Sequence, residues 1–213
     1  MSTYVLCLKL NNRPCLVVGG GAVAERKARS LYSAGARITV ISREINASLR
    51  HFAAEHAITL VAREVREDDL KEKLLVIAAT DNRETNKRIA EQARRAGALV
   101  NVVDSPEESD FFVPSSFNRG DLTIAIATSG KIPALSRKIR KKLEKQFGSE
   151  YENYIQLLEP ARIDIYKSSA HTVENKKRLI GELLDLPLLA LLQDGMQDEA
   201  KQMIQVFLRE HGV

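Results

Sequence analysis

Three consecutive glycines, Gly19-Gly20-Gly21, separate an apolar run, Cys15 to Val18, from a stretch in which Ala24, Ala28 and Leu31 recur at helical spacing. A strand that stops in glycines and restarts as a helix is a tight strand-to-helix turn. Such turns belong to sheets whose parallel strands are joined through helices. Residues Gly19 to Ala24 also fit the pattern G-x-G-x-x-A. In that pattern the first glycine makes the turn, and the second lets the backbone approach a pyrophosphate. The third small residue packs the helix on the sheet. The amides and dipole at the helix start then favour the negative charge. A glycine-rich turn can also serve packing alone. Its place after a strand, at the mouth of a helix near the N-terminus, favours the dinucleotide.

The alternation continues. Tyr4 to Leu10 is an apolar run, and Gly35 ends the first helix as a C′ residue. Ile38 to Ile41 reads as a strand, Ile45 to His56 as a helix, Thr59 to Ala62 as a strand and Leu74 to Ala79 as a buried strand. Arg83 to Ala96 is an amphipathic helix stopped at Gly97, and Leu99 to Val103 is a further strand. The expected fold class is α/β, with an N-terminal Rossmann-like parallel sheet over residues 1–113. After Pro114 the pattern changes. A turn around Asn118-Arg119-Gly120 precedes a strand over Leu122 to Ala127. A helix follows with Ile132, Leu135, Ile139, Leu143 and Phe147 on one face. Residues 114–147 read as a small α+β segment. Residues 148–213 read as a helical domain with helices over Tyr151 to Tyr166, Val173 to Leu184 and Met196 to Leu208.

Composition narrows the function classes. The chain has 213 residues, 44% hydrophobic, enough to bury a core without disulfide or metal. Cys7 and Cys15 have neither metal-ligand nor disulfide-framework spacing, and the four histidines are scattered, so no bound metal is expected. A net charge of +4, no Trp and 5% aromatic residues argue against nucleic acid. No apolar run of membrane length and no leader pattern is present, so no membrane and a cytoplasmic location are expected.

The second half of the dinucleotide fingerprint is incomplete. An acid normally ends the second strand and binds the adenosine ribose. Here that strand runs into Ser42-Arg43-Glu44. Ser42 can bond a ribose hydroxyl, Glu44 lies two residues late, and Arg43 suits a 2′-phosphate, so the spacing leaves NAD and NADP open. Thr80 and Asp81 follow a core strand where the cofactor passes, or one of them caps the next helix. Asp104 follows the Leu99 to Val103 strand, where ligands collect in open parallel sheets. Its neighbours Val102 and Val103 are apolar, which suits an acid placed for proton transfer. The alternative for Asp104 is a turn cap.

Four segments together carry a specific resemblance. They are Val18-Gly19-Gly20-Gly21-Ala22-Val23-Ala24-Glu25-Arg26-Lys27, Ala78-Ala79-Thr80-Asp81, Asn101-Val102-Val103-Asp104 with Ser109 to Ser115, and Ala127-Thr128-Ser129-Gly130-Lys131-Ile132-Pro133 onward to Arg137. Residues 1 to about 145 resemble the siroheme synthase family, more narrowly its precorrin-2 dehydrogenase module in free-standing form, without the fused methyltransferase. The resemblance implies NAD-dependent oxidation of precorrin-2 to sirohydrochlorin. Some members also insert ferrous iron, and that activity stays open here. The resemblance also implies dinucleotide contacts at Ala22, Val23, Arg43 and Glu44 and a catalytic role for Asp104, and Gly19, Gly21, Ser42, Thr80, Asp81 and Asn101 complete the candidate cofactor-binding residues. Ser129, Gly130 and Lys131 fall where the tetrapyrrole binds. Residues 114–147 correspond to a homodimer interface. The Leu122 to Ala127 strand, with no helix returning it to the parallel sheet, looks like an edge that a partner would pair. Two other readings compete. A dinucleotide sensor would need the glycine turn but not Asp104. A basic nucleic-acid binder would use the Arg137 to Lys145 run, which is more simply a solvated helix face.

Overall fold

The computed structural model describes residues 3–213. By its contacts the chain divides into two compact units, the first ending at Val113 and the second beginning at Pro114. The first unit has the expected architecture. Strands β1 (Pro14–Val18), β2 (Arg37–Ile41), β3 (Thr59–Val61), β4 (Leu75–Ala78) and β5 (Leu99–Val102) form one parallel sheet in the order β3-β2-β1-β4-β5. Helices α1 (Ala22–Ser33), α2 (Ala47–Glu55) and α3 (Arg83–Arg95) provide the crossovers.

The two-residue period of the strands divides the apolar residues between two cores. Cys15 and Val17 of β1, with Leu75 and Ile77 of β4, face one way. They pack with Ala24, Ala28 and Leu31 of α1 and with Leu49 and Phe52 of α2. Leu16, Val18, Val76 and Ala78 face the other way and meet Ile89, Ala90 and Ala93 of α3. Strands covered on both sides must be apolar throughout, which is why β1 and β4 read as uninterrupted hydrophobic runs. The Tyr4 to Leu10 run is different. It forms no strand, and only Leu10 is buried, while Tyr4 and Val5 are 89% and 80% exposed.

In the second unit, β6 (Ser115–Arg119) and β7 (Leu122–Ile126) form an antiparallel hairpin. The β7 strand is therefore paired within the chain, which corrects the expectation of an unpaired edge there. The sequence hid β6 because only Phe117 in Ser115-Ser116-Phe117-Asn118-Arg119 is apolar and buried. Helix α4 (Pro133–Gln146) follows, and its C-terminal carbonyls Glu144 and Phe147 accept from the Arg119 guanidinium at 3.0 and 2.9 Å. Helices α5 (Glu150–Lys167), α6 (Val173–Asp185), α7 (Leu188–Gln193) and α8 (Gln197–Glu210) enclose a core of Ile165, Leu179, Leu183, Leu188 and Ile204. No helix among the described residues is long and apolar enough to cross a membrane.

One ion pair in the first unit is well enough built to titrate visibly. Asp69 accepts from both Arg63 amino groups at 2.6 and 2.7 Å and from the Arg66 backbone N–H at 2.7 Å. The Arg63 fork holds its carboxyl below the ordinary value, against a burial effect that raises it. A lowered folded-state pKa gives stability that is present above the unfolded value of about 3.9 and is lost as pH falls through the folded value. The melting temperature of Asp69→Asn should therefore lie below that of the unaltered protein at pH 7. The gap should close below about pH 3.9, the unfolded value. Melts across pH 3 to 7 check this, and a pH-independent gap would refute it.

Candidate functional site

The glycine turn lies between the end of β1 and the start of α1. Gly19 has φ +133°, a conformation side chains rarely adopt. A Cβ there would also fall 2.3 Å from the Ala79 carbonyl oxygen. At Gly20 a Cβ would lie 1.8 Å from the Glu44 carbonyl oxygen. The protein's own packing therefore requires both glycines. Gly21 differs from them. Its φ of −85° and ψ of −175° suit any residue. A Cβ there would meet nothing within 4 Å. No side chain caps α1, so the N–H groups of its first turn lack a side-chain cap beside that open space. A helix N-terminus kept clear by a glycine that nothing in the chain requires fits a pyrophosphate. Ala22 is exposed and Val23 half-buried beside it.

The loop after β2 rests on this turn. The Asn46 N–H donates to the Gly20 carbonyl at 2.9 Å, and the Ser42 N–H donates to Val61 at 3.2 Å. Arg43 and Glu44 are exposed, and Arg43 pairs with Glu64 at 2.6 Å. Both side chains of that pair are more than 60% exposed, so it is worth at most about 1 kcal/mol and readily gives way to a ligand.

On the other side of β1, a cleft of about 380 Å³ opens beyond β4 and β5, lined by Thr80, Asp81, Arg83, Asn86, Asp104 and Ser105 among others. Asn82, rather than Thr80 or Asp81, caps α3, accepting from the Thr85 N–H at 2.8 Å. This corrects the capping alternative and leaves the Asp81 carboxylate exposed at the cleft. The Thr80 hydroxyl donates to Asn86 Oδ1 at 2.6 Å, and Asn86 Nδ2 donates back to the Thr80 carbonyl at 2.9 Å. Buried Asn86 thereby fixes the loop whose Ala79 carbonyl abuts Gly19. The buried Ser105 hydroxyl has no partner among the described residues, so it is a polar group that a ligand in the cleft would satisfy.

Asp104 stands at the end of β5 with φ +59°, a left-handed conformation that Asp tolerates better than most residues. Val102 is buried and Val103 half-buried, but Asp104 itself is exposed. The chain alone does not supply the apolar surroundings expected for it. Its charge reaches Lys27 of α1. Burial and the Arg26 guanidinium push the Lys27 ammonium below its ordinary value, against the pull of the Asp104 carboxylate. Lys27 was not singled out from the sequence. The available signal was a lysine three residues after Ala24, beside the buried stripe of α1. Asn101 is buried, and its amide nitrogen donates to the Phe111 carbonyl at 2.9 Å. That bond ties β5 to the 109–111 segment and leaves its Oδ1 and its second amide hydrogen for a ligand.

The remaining predicted site residues lie in the second unit. Ser129 and Gly130 both have positive φ, 50° and 76°, in the loop between β7 and α4. Thr128 closes that loop, its carbonyl accepting from the Lys131 N–H at 2.9 Å and its hydroxyl from the Ile132 N–H at 3.2 Å. Lys131 is exposed.

Comparison with known proteins bears on this geometry. A family model described as "Putative NAD(P)-binding" matches residues 6–115, just over half the chain. The chain belongs to this NAD(P)-binding family. A second model, described as "Sirohaem biosynthesis protein central", matches residues 119–146. Siroheme synthase 1 of Aeromonas salmonicida is 47% identical over 136 residues, covering 64% of this chain and 29% of that protein. A siroheme synthase of Thioalkalivibrio sulfidiphilus is 34% identical over 205 residues, covering 96% of this chain and 42% of that protein. The chain thus spans less than half the length of these curated relatives. A solved structure of SirC, precorrin-2 dehydrogenase, superposes with a TM-score of 0.76 at 29% identity, covering 95% of this chain and 99% of that one. The fold matches along nearly the whole chain, including the hairpin and the C-terminal helices.

Gly19 and Gly21 give opposed expectations. Gly21→Val should keep the melting temperature within a few degrees and abolish NAD⁺ binding. Gly19→Val should lower the melting temperature sharply, because of both the φ and the Ala79 carbonyl. Thermal melts with an NAD⁺ titration check the pair. Unchanged affinity in Gly21→Val would refute the assignment of the open turn.

Proposed function

We propose that this chain is an NAD-dependent precorrin-2 dehydrogenase that makes sirohydrochlorin on the way to siroheme. The observation that carries the reading is the empty space in front of Gly21 and the uncapped N-terminus of α1, with Asp104 across the same sheet end. The likeness to SirC, precorrin-2 dehydrogenase, over 95% of the chain supports it.

Gly19, Gly21, Ala22 and Val23 hold the pyrophosphate. Ser42, Arg43 and Glu44 take the adenosine ribose. Thr80, Asp81 and Asn101 border the path toward the nicotinamide. Bound there, NAD⁺ supplies the hydride acceptor. Oxidation of the tetrapyrrole also releases a proton, and the Asp104 carboxylate is the base that accepts it. Ser129, Gly130 and Lys131 bind the substrate, Lys131 pairing with its carboxylates. Functionally, residues 1–113 bind the cofactor, 114–147 form a homodimer interface and 148–213 form a helical domain. Ile132 and Leu135 stand 54% and 42% exposed on the α4 side of that interface, and pairing would cover them. The location is cytoplasmic. A regulatory dinucleotide sensor is disfavoured by the acid placed at the end of β5.

The catalytic proposal is tested with Asp104→Asn. This variant should still bind NAD⁺ and tetrapyrrole, and its dehydrogenase rate should fall about 10²-fold or more. Turnover near the unaltered rate would remove Asp104 from the chemistry. For assembly, sedimentation at micromolar concentration should give a dimer, and a monomer throughout would overturn the interface. An anaerobic assay with sirohydrochlorin and ferrous iron as substrates decides whether iron insertion accompanies the oxidation.

A further inference from the structure

Helix α1 carries an acid where its partner ligand would least favour one. Glu25 sits in the first turn, beside N–H groups that face a phosphate. Like charges at that distance repel, and a carboxylate there competes for the same helix dipole. The structure turns this carboxylate away from the phosphate side. Glu25 accepts from the Ser48 hydroxyl at 2.6 Å, from Asn46 Nδ2 at 3.4 Å, and from Arg29 Nε and Nη2 at 3.0 and 2.9 Å. Ser48 and Asn46 lie in the first turn and at the N-cap of α2, so the Glu25 charge serves the N-terminus of α2 rather than that of α1. These bonds hold the carboxyl below its ordinary value, the Ser48 hydroxyl contributing most. Arg29 continues the link, its guanidinium lying 4.0 Å over the ring of buried Phe52 in α2.

The loop after β2 is held at its far end by Asn46. Its N–H bonds Gly20, its Oδ1 accepts from the Leu49 N–H at 2.6 Å, and its Nδ2 bonds Glu25. Of these, only the Glu25 bond comes from a side chain of α1, the helix that meets the pyrophosphate. Through it the side chain of an α1 residue is tied to the end of the Ser42–Asn46 loop. We propose that Glu25 is a positioning residue that latches the β2–α2 loop to the phosphate helix and so sets affinity for the adenosine half of the dinucleotide. This rests on the NAD-binding reading above.

The test uses ADP-ribose, which carries the adenosine and pyrophosphate but no nicotinamide, so that binding is read without turnover. Glu25→Ala should weaken ADP-ribose binding tenfold or more and raise the KM for NAD⁺ by a similar factor. The kcat at saturating NAD⁺ should fall less than twofold. Glu25→Gln keeps an acceptor for Ser48 and should stay within threefold of the unaltered protein. Should Glu25→Ala melt too low to assay, Ser48→Ala removes the 2.6 Å bond without altering charge and should weaken ADP-ribose about threefold. Unchanged ADP-ribose affinity in whichever variant folds, or a loss confined to kcat, would overturn the latch alone. No ADP-ribose binding by the unaltered protein would overturn the dinucleotide reading, and the latch with it.

Discussion

The first unit is organised around one close approach. The carbonyl oxygens of Ala79 and Glu44 occupy the places where side chains at positions 19 and 20 would stand. That contact brings the loops after β2 and β4 down onto the end of β1, the middle strand of the sheet. No residue larger than glycine permits it without moving backbone. The hydrogen bonds around it have the same effect, since Asn46 bonds Gly20 on one side and Asn86 fixes Thr80 on the other. Beside this close contact, the space before Gly21 stays open. Preorganisation of this kind lowers the cost of binding, because loop order is established before the ligand arrives.

The same end of the sheet distributes charge. The N-terminus of α1 offers partial positive charge at the centre, and Glu25 is diverted to α2 so that it does not cancel it. Lys27, two residues further on, sits close enough to Asp104 to feel its charge. Asp104 is exposed at the end of β5, while Lys27 is partly buried on α1. The polar groups left open, the Ser105 hydroxyl and the Asp81 carboxylate, border the same cleft.

Much of this was legible in the residues. Strands β1 and β4 are continuous apolar runs, and α1 and α3 show helical periodicity ended by glycine, so element type and the parallel sheet followed directly. The glycine pattern also placed the turn. What failed depended on partners. Strand β6 has one apolar residue and exists through its pairing with β7. Helix α7, six residues after Pro187, is too short to show a period. The Tyr4 to Leu10 run looks like a core strand but has nothing to pack on within the described residues except through Leu10. At the site, the roles of Glu25, Lys27 and Asn86 come from contacts with residues up to 77 positions away, such as Lys27 with Asp104, which no local pattern encodes. Asn82 capped α3 where Thr80 or Asp81 had been the candidates, because all three can cap and only the loop geometry selects one.

The most direct test of the account is a crystal structure of the protein with NAD⁺. The account places the pyrophosphate against Gly21, within hydrogen-bond reach of the Ala22 and Val23 amides, with the adenosine ribose at Ser42 to Glu44 and the nicotinamide toward Asp104. A dinucleotide bound elsewhere, or lying across the sheet end with Gly21 uncovered, would contradict it.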